Sequence, residues 1–146
     1  MLDIIKVNNN ENLKDCLEIR EKVFIEEKNV PVEIENDCYD KITEECDHFL
    51  IKLDNENVGT LRCYLKDENQ VKLQRFCILR EYRKLGIGKK VLSYIENYYK
   101  INKKAIIMDA KYEAVGFYEK CGYKKVSDVF IEADIEHITM LKNINV

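Results

Sequence analysis

Three β-rich segments stand back to back in the middle of this chain: His48 to Leu53, Asn57 to Leu65 and Gln70 to Leu79. Only Asp54-Asn55-Glu56 separates the first two, and only Lys66-Asp67-Glu68-Asn69 the second and third. Connections that short cannot cross over a sheet, so consecutive segments must lie side by side and antiparallel. The rest of the chain has to attach to that meander. Upstream, Leu2 to Val7 reads as a short strand. Asn9 or Asn10 then caps a helix running to about Glu27, with Leu13, Cys16, Leu17, Val23 and Phe24 as its apolar stripe. Residues 28 to 46 are irregular and acidic, with Glu33, Glu35, Asp37, Asp40, Glu44 and Glu45 around the single proline, Pro31. Downstream, a glycine-containing turn leads into a helix from about Gly86 to Lys100, striped by Val91, Leu92, Ile95, Tyr98 and Tyr99. Lys104 to Ala110 is a buried strand, Glu113 to Cys121 a short helix ended by Gly122, and Tyr123 to Ile131 and His137 to Lys142 closing strands. The order β-α-β-β-β-α-β-α-β-β predicts a single α/β domain over residues 1–146, of the α+β mixed-sheet kind with helices on both faces.

Composition narrows the partners. A formal net charge of -3 without a basic block argues against nucleic-acid binding. No apolar run approaches the roughly 20 residues that span a bilayer. The start, MLDIIKVNNNENL, lacks a basic segment leading into a long apolar stretch. A cytoplasmic protein with neither nucleic-acid nor membrane partner is the expectation. The six cysteines include no CxxC pair. Cys16, Cys63, Cys77 and Cys121 fall in apolar segments, where a free thiol is a small hydrophobe. Cys38, Cys46 and His48 are the best metal candidates, but their spacing is too wide for a paired zinc knuckle and no fourth ligand is evident. Reduced cysteines and no metal are expected.

The chemistry concentrates in Leu73 to Gly88, which reads strand, tight turn, helix. Two glycines at a helix start let the backbone approach a ligand, and the free amides with the helix dipole favour an anion. Arg83, Lys84, Lys89 and Lys90 strengthen the positive potential. Neither a Walker loop nor a three-glycine dinucleotide fingerprint is present.

The string Arg83-Lys84-Leu85-Gly86-Ile87-Gly88 resembles the Q/R-x-x-G-x-G/A motif of the GNAT superfamily of N-acetyltransferases. Ala114-Val115-Gly116-Phe117-Tyr118-Glu119-Lys120-Cys121-Gly122-Tyr123 resembles the same family's A-x-x-F-Y-E-K-x-G-F signature. Both the order of elements and the separation of the motifs agree with the GNAT fold, in which strands 4 and 5 of a mostly antiparallel, twisted sheet splay apart. A narrower likeness, to the ElaA/YjcF-like branch, is carried by Arg20 to Glu27, by Pro31 with Glu35 to Asp40, and by Phe130 to Met140.

The resemblance implies an acetyl-coenzyme A-dependent N-acetyltransferase that joins acetyl group and amine by direct attack in a ternary complex. It places Phe76, Cys77 and Ile78 beside the pantetheine arm. The pyrophosphate falls on the turn amides from Arg83 through Lys84, Leu85, Gly86, Ile87 and Gly88 to Lys89. Tyr118 matches the tyrosine that protonates the departing thiolate; its other reading is a core aromatic on the Ala114, Phe117, Cys121 face. Lys111 stands where many relatives carry an amide side chain, and either contacts phosphate or ribose or is solvated. Cys77 has no neighbouring histidine to activate it as a nucleophile.

The acceptor half is less determined. His137, His48, Glu27 and the acidic run Glu33 to Asp40 are the candidate bases, His137 being equally readable as a hydrogen-bonded strand residue. Arg20 lies on an apolar helix stripe and is either paired in the core, the favoured reading, or faces a pocket. The acidic run reads first as a solvated face; in the alternative, Asp37 and Asp40, with Glu27 and His48, would suit a cationic amine, small or peptidic. A homodimer is compatible with the resemblance. The competing classes are a non-catalytic acyl-coenzyme A-binding module on the same fold and a phosphate binder using the glycine turn alone.

Overall fold

A computed structural model describes residues 1–145. After β1 (Leu2–Lys6), Asn9 caps α1 (Asn10–Arg20) by accepting the Asn12 amide at 2.8 Å. The helix does not stop at Arg20. It continues as a π-helical segment, Glu21–Glu27, ended by the i to i−5 bond from the Lys28 amide to the Val23 carbonyl. The one helix expected to Glu27 therefore changes register midway. A short α2 (Val32–Glu35) interrupts the acidic stretch.

The meander follows as β2 (Cys46–Leu53), β3 (Glu56–Leu65) and β4 (Gln70–Ile78), antiparallel throughout. Its first turn is tighter than expected. Leu53 pairs with Glu56, leaving Asp54 and Asn55 with φ of 49° and 69°, as a two-residue hairpin demands. Then come α3 (Ile87–Tyr99), β5 (Ala105–Lys111) and α4 (Val115–Lys120). The expected closing strand 123–131 is two short pieces, β6 (Lys124–Lys125) and β7 (Phe130–Glu132), on one edge of β8 (Ile135–Asn143). Between them the Ser127 hydroxyl takes the Thr139 amide, substituting for the ladder.

Strand order is β1-β2-β3-β4-β5-β8-β6, with β7 also on β8. All pairs are antiparallel except β4 with β5. One face packs under α3 and α4, with Phe49, Ile51, Leu73, Val91, Leu92, Ile95, Ile106 and Met140 in its core. The other face packs under α1, through Leu13, Cys16, Ile19, Val23, Leu50 and Cys77. The mixed sheet with helices on both faces is as expected.

The β4–β5 pair sets up the site. Its parallel ladder runs only from Gln70 with Ala105 to Leu73 with Met108. On the β3 side, Gln74 pairs with Arg62 and Cys77 with Thr60, so Arg75 and Phe76 oppose Leu61 alone. That is a β-bulge, and Arg75 takes a φ of 55° in it. Beyond the bulge, β4 leaves β5 and a gap opens between their ends.

Candidate active site

The start of α3 has a backbone geometry that suits an anion. Lys84 and Gly86 have φ of 64° and 78°, and Gly86 is the helix N-cap. Two left-handed residues so close curl the chain, and the first backbone bond of the helix is from the Lys90 amide to the Gly86 carbonyl. Among the described residues, the amides of residues 84 to 89 therefore have no backbone acceptor. Six such N–H groups at the positive end of a helix can cradle an anion. Gly86 is needed for its φ, since nothing lies within 4 Å of a Cβ built there. Gly88 is needed for space: its Cβ would sit 3.0 Å from the Phe117 ring. Leu85 is largely exposed and contributes only backbone.

The cradle opens into the gap beside β4. The Leu79 amide donates to the Val58 carbonyl of β3, so by alternation the polar groups of Ile78 point into the gap. Arg83 Nε meets the Ile78 carbonyl there at 2.8 Å, which leaves the Ile78 amide beside it. The other two Arg83 nitrogens grip both Glu27 oxygens at 2.7 Å. Hydrogen bonds from Arg83 hold the Glu27 carboxyl down at about 2. This guanidinium is committed within the protein, and Glu27 ties the end of the π-helical segment to the turn.

A cavity of about 840 Å³ occupies the gap, within the usual range for ligand sites. Phe76, Cys77, Ile78, Arg83, Lys84, Gly86, Ile87, Gly88, Lys89, Lys111, Tyr118 and His137 all line it. Tyr118, on α4, packs against Phe117 and Tyr123, with ring centroids 5.2 and 5.9 Å away. Burial pushes its phenol well above the ordinary range, so it remains a proton donor. Cys77 faces α1, away from α3, and burial pushes its thiol up to about 12, which removes the thiolate that a nucleophile needs. His137 is buried on β8 and stacks on Phe130. Its Nδ1 lies 2.7 Å from the Ile135 carbonyl, which only accepts, so Nδ1 carries a hydrogen, and Nε2, 4.0 Å from a Glu132 carboxylate oxygen, is the nitrogen left to exchange a proton.

The remaining expected residues lie elsewhere. Arg20 is buried behind the cavity, where Nε meets Glu35 and Nη1 meets Asp40, each at 2.6 Å. Arg62 grips Asp37 at 2.7 and 2.9 Å and Asp40 at 3.0 Å. Arg75 reaches the backbone carbonyls of Ile34 and Glu35. Three arginines thus neutralise Glu35, Asp37 and Asp40. Burial pushes the Asp37 and Asp40 carboxyls up, but Arg62 and Arg20 more than offset it and hold both below their ordinary value. None of Arg20, Asp37 or Asp40 lines the cavity; Glu35 does, but it is paired off by arginines like Asp37 and Asp40, and Glu33 is exposed. His48 is also remote: its Nε2 sits 2.9 Å from the Tyr39 carbonyl and 3.1 Å from that of Lys41, pinning the loop to β2. That nitrogen cannot join Cys38 and Cys46 at a metal, and the described residues contain no such cluster. Arg62 and Arg75 escaped sequence reasoning, although an arginine between Leu61 and Cys63 in an apolar strand is the kind of signal that marks a buried ion pair. Lys28, at the cavity wall, escaped as well.

Comparison with known proteins agrees with this geometry. Residues 19–144 match the acetyltransferase (GNAT) domain family. YyaT of Bacillus subtilis (strain 168) is 37% identical over 147 residues, covering 99% of this chain and 97% of the relative. The N-acetyltransferase YjcF of the same organism is 35% identical over 137 residues, covering 92% and 95%. Among solved structures, Escherichia coli ElaA superposes with a TM-score of 0.84 at 22% identity, covering 97% of this chain and 99% of that one. An aminoglycoside 6'-N-acetyltransferase complexed with coenzyme A gives 0.77 at 18% identity, covering 99% and 97%. The anion cradle at α3, the splayed β4–β5 pair and nearly full-length sequence similarity lead to one conclusion: the chain belongs to the GNAT family and is an N-acetyltransferase.

Proposed function

We propose that this enzyme uses acetyl-coenzyme A and transfers the acetyl group to a primary amine by direct attack, with both substrates bound together. The observation that carries the proposal is the run of free amides at residues 84 to 89, continuous with the gap in which the Ile78 amide is exposed. A pyrophosphate fits the first and an extended amide-bearing arm the second. The coenzyme A complex of an aminoglycoside 6'-N-acetyltransferase with the same fold supports it.

When bound, acetyl-coenzyme A supplies an activated acyl group on a thiolate leaving group. The chain's own residues do the rest. The Ile78 amide stabilises negative charge developing on the acyl oxygen. His137 Nε2 takes the proton that the attacking amine must lose, and the Tyr118 phenol gives one to the departing sulfur. Nothing in this scheme asks for a protein nucleophile or a metal. Thiol release across a panel of primary amines, beside calorimetric titration of coenzyme A, tests it. Binding with amine-dependent thiol release is expected. Binding without release would make the chain a non-catalytic module, and no binding would sink both readings.

A further inference from the structure

The cavity has a second wall, on the α1 face of the sheet. Along β5, Ile106, Met108 and Ala110 enter the core under α3, so Ile107, Asp109 and Lys111 face the other way. Lys111 stands directly opposite His137 in the β5–β8 ladder. Its ammonium lies 5.3 Å from the centroid of the Phe24 ring, which the π-helical segment presents. It is therefore on the face opposite α3 and Tyr118, and does not serve the phosphate cradle.

The charges on this wall are otherwise accounted for. Lys72 pairs with Asp109 at 2.9 Å, Arg75 with Glu35 at 3.3 Å and Lys28 with Glu27 at 3.6 Å. Lys111 alone of these cations forms no ion pair with a described residue. The nearby anions do not supply one: Glu35 is held by Arg20 and Arg75, and Glu113 and Glu132 are exposed at the rim. Burial, followed by the charge of Lys28, pushes the Lys111 ammonium below its ordinary value. A half-buried ammonium that faces an aromatic ring, with Glu113 and Glu35 attracting it only from beyond ion-pair distance, is under-satisfied. With Glu35, Asp37 and Asp40 each held by an arginine, Lys111 is the one of these wall cations left without an ion-pair partner among the described residues, while the Glu113 and Glu132 carboxylates stay at the exposed rim and Glu132 stands 4.0 Å from His137 Nε2.

We infer that the acceptor is an amine bearing a carboxylate a few bonds from its nitrogen, with Lys111 binding the carboxylate while the nitrogen faces His137 Nε2. Directly opposed residues on one face of a sheet have Cβ atoms about 5 Å apart, which sets the short reach. This rests on the acetyl-transfer reading. Lys111 is a specificity-determining residue in it.

The test uses matched acids and carboxamides: glycine and glycinamide, β-alanine and β-alaninamide, and their N-acetyl products. Coenzyme A affinity is measured first, because its absence would sink the acetyl-transfer reading itself. Two readouts follow: the ratio of kcat/KM for acid over amide, and calorimetric binding of the N-acetyl acids to the free protein. A preference of about tenfold or more for the acid is expected, the scale of a charge-assisted hydrogen bond. Lys111→Met should bring the ratio close to one, and Lys111→Arg should keep it within a few-fold, with coenzyme A affinity the same in all three. Equal handling of acids and amides by the unsubstituted enzyme would overturn the inference, as would acids neither bound nor acetylated. So would a Lys111→Met defect in coenzyme A binding, or acetylation of Lys111 itself by mass spectrometry. Should Lys111→Met not fold, the wild-type ratio and Lys111→Arg still decide.

Discussion

Tyr118 and Glu27 show how one environment differs from another at the level of single side chains. Tyr118 is surrounded by Phe117 and Tyr123, and the burial that raises its pKa also keeps it protonated at neutral pH. Tyr118→Phe keeps the packing and removes only the proton. It should lower kcat on the order of 10²-fold and leave the coenzyme A dissociation constant unchanged, as read by steady-state kinetics beside calorimetry. If the phenol is only a core group, kcat will not move. Glu27 is the opposite case, a carboxylate held at about 2, against an ordinary 4.5, by hydrogen bonds from Arg83. The folded protein binds this proton more weakly than the unfolded chain does, so the pair stabilises the fold fully above about pH 4.5. That contribution is lost as the pH falls toward 2. In urea denaturation, wild type should exceed Glu27→Gln most above pH 5, and the difference should shrink between 4.5 and 2.

Among the elements, β4 decides the most. Its bulge at Arg75 turns an ordinary parallel neighbour of β5 into a divergent strand, and the divergence is the cavity. Two features fix the bulge. Arg75 reaches over to the carbonyls of Ile34 and Glu35, tying it to α2. Gly59 on β3 lets the strand come close, since a Cβ there would stand 2.7 Å from the Cys77 carbonyl oxygen. A backbone oxygen cannot rotate aside, so Gly59→Ala should destabilise by about 1–3 kcal/mol, the usual cost of overpacking. It should also weaken coenzyme A binding, because the displaced residues adjoin the Ile78 amide. Denaturation and calorimetry on the same variant check both. The π-helical segment matters in the same way. It presents Phe24 to the cavity wall, and Lys28 follows there at its end.

At the scale of the molecule, the eight-stranded sheet is one body with a helix layer on each face, and the cavity opens where two strands part. No helix among the described residues is long and apolar enough to cross a membrane. A ligand bridging the α3 turn and β4 binds only the folded state. Coenzyme A at about 100 times its dissociation constant should therefore stabilise the protein by about 2.7 kcal/mol and raise Tm by several degrees, measurable by scanning calorimetry. No shift would mean that the cradle does not hold it. Much of this was legible in the chain. The polar connections between β2, β3 and β4 are too short for anything but antiparallel neighbours, and the glycines at 86 and 88 answer to local constraints of φ and space. Such features are determined by residues close in sequence, so they can be read there. The divergence of β4 from β5 came only by resemblance, because a bulge leaves no periodic trace. The destiny of the acidic run was legible only from Arg20, whose place on an apolar stripe favoured a buried pair without naming its partners. Whether Glu35, Asp37 and Asp40 face a substrate or are cancelled depends on Arg20, Arg62 and Arg75, which come from α1, β3 and β4. Charges meet through space, and only the folded chain decides which ones are left over, as Lys111 is.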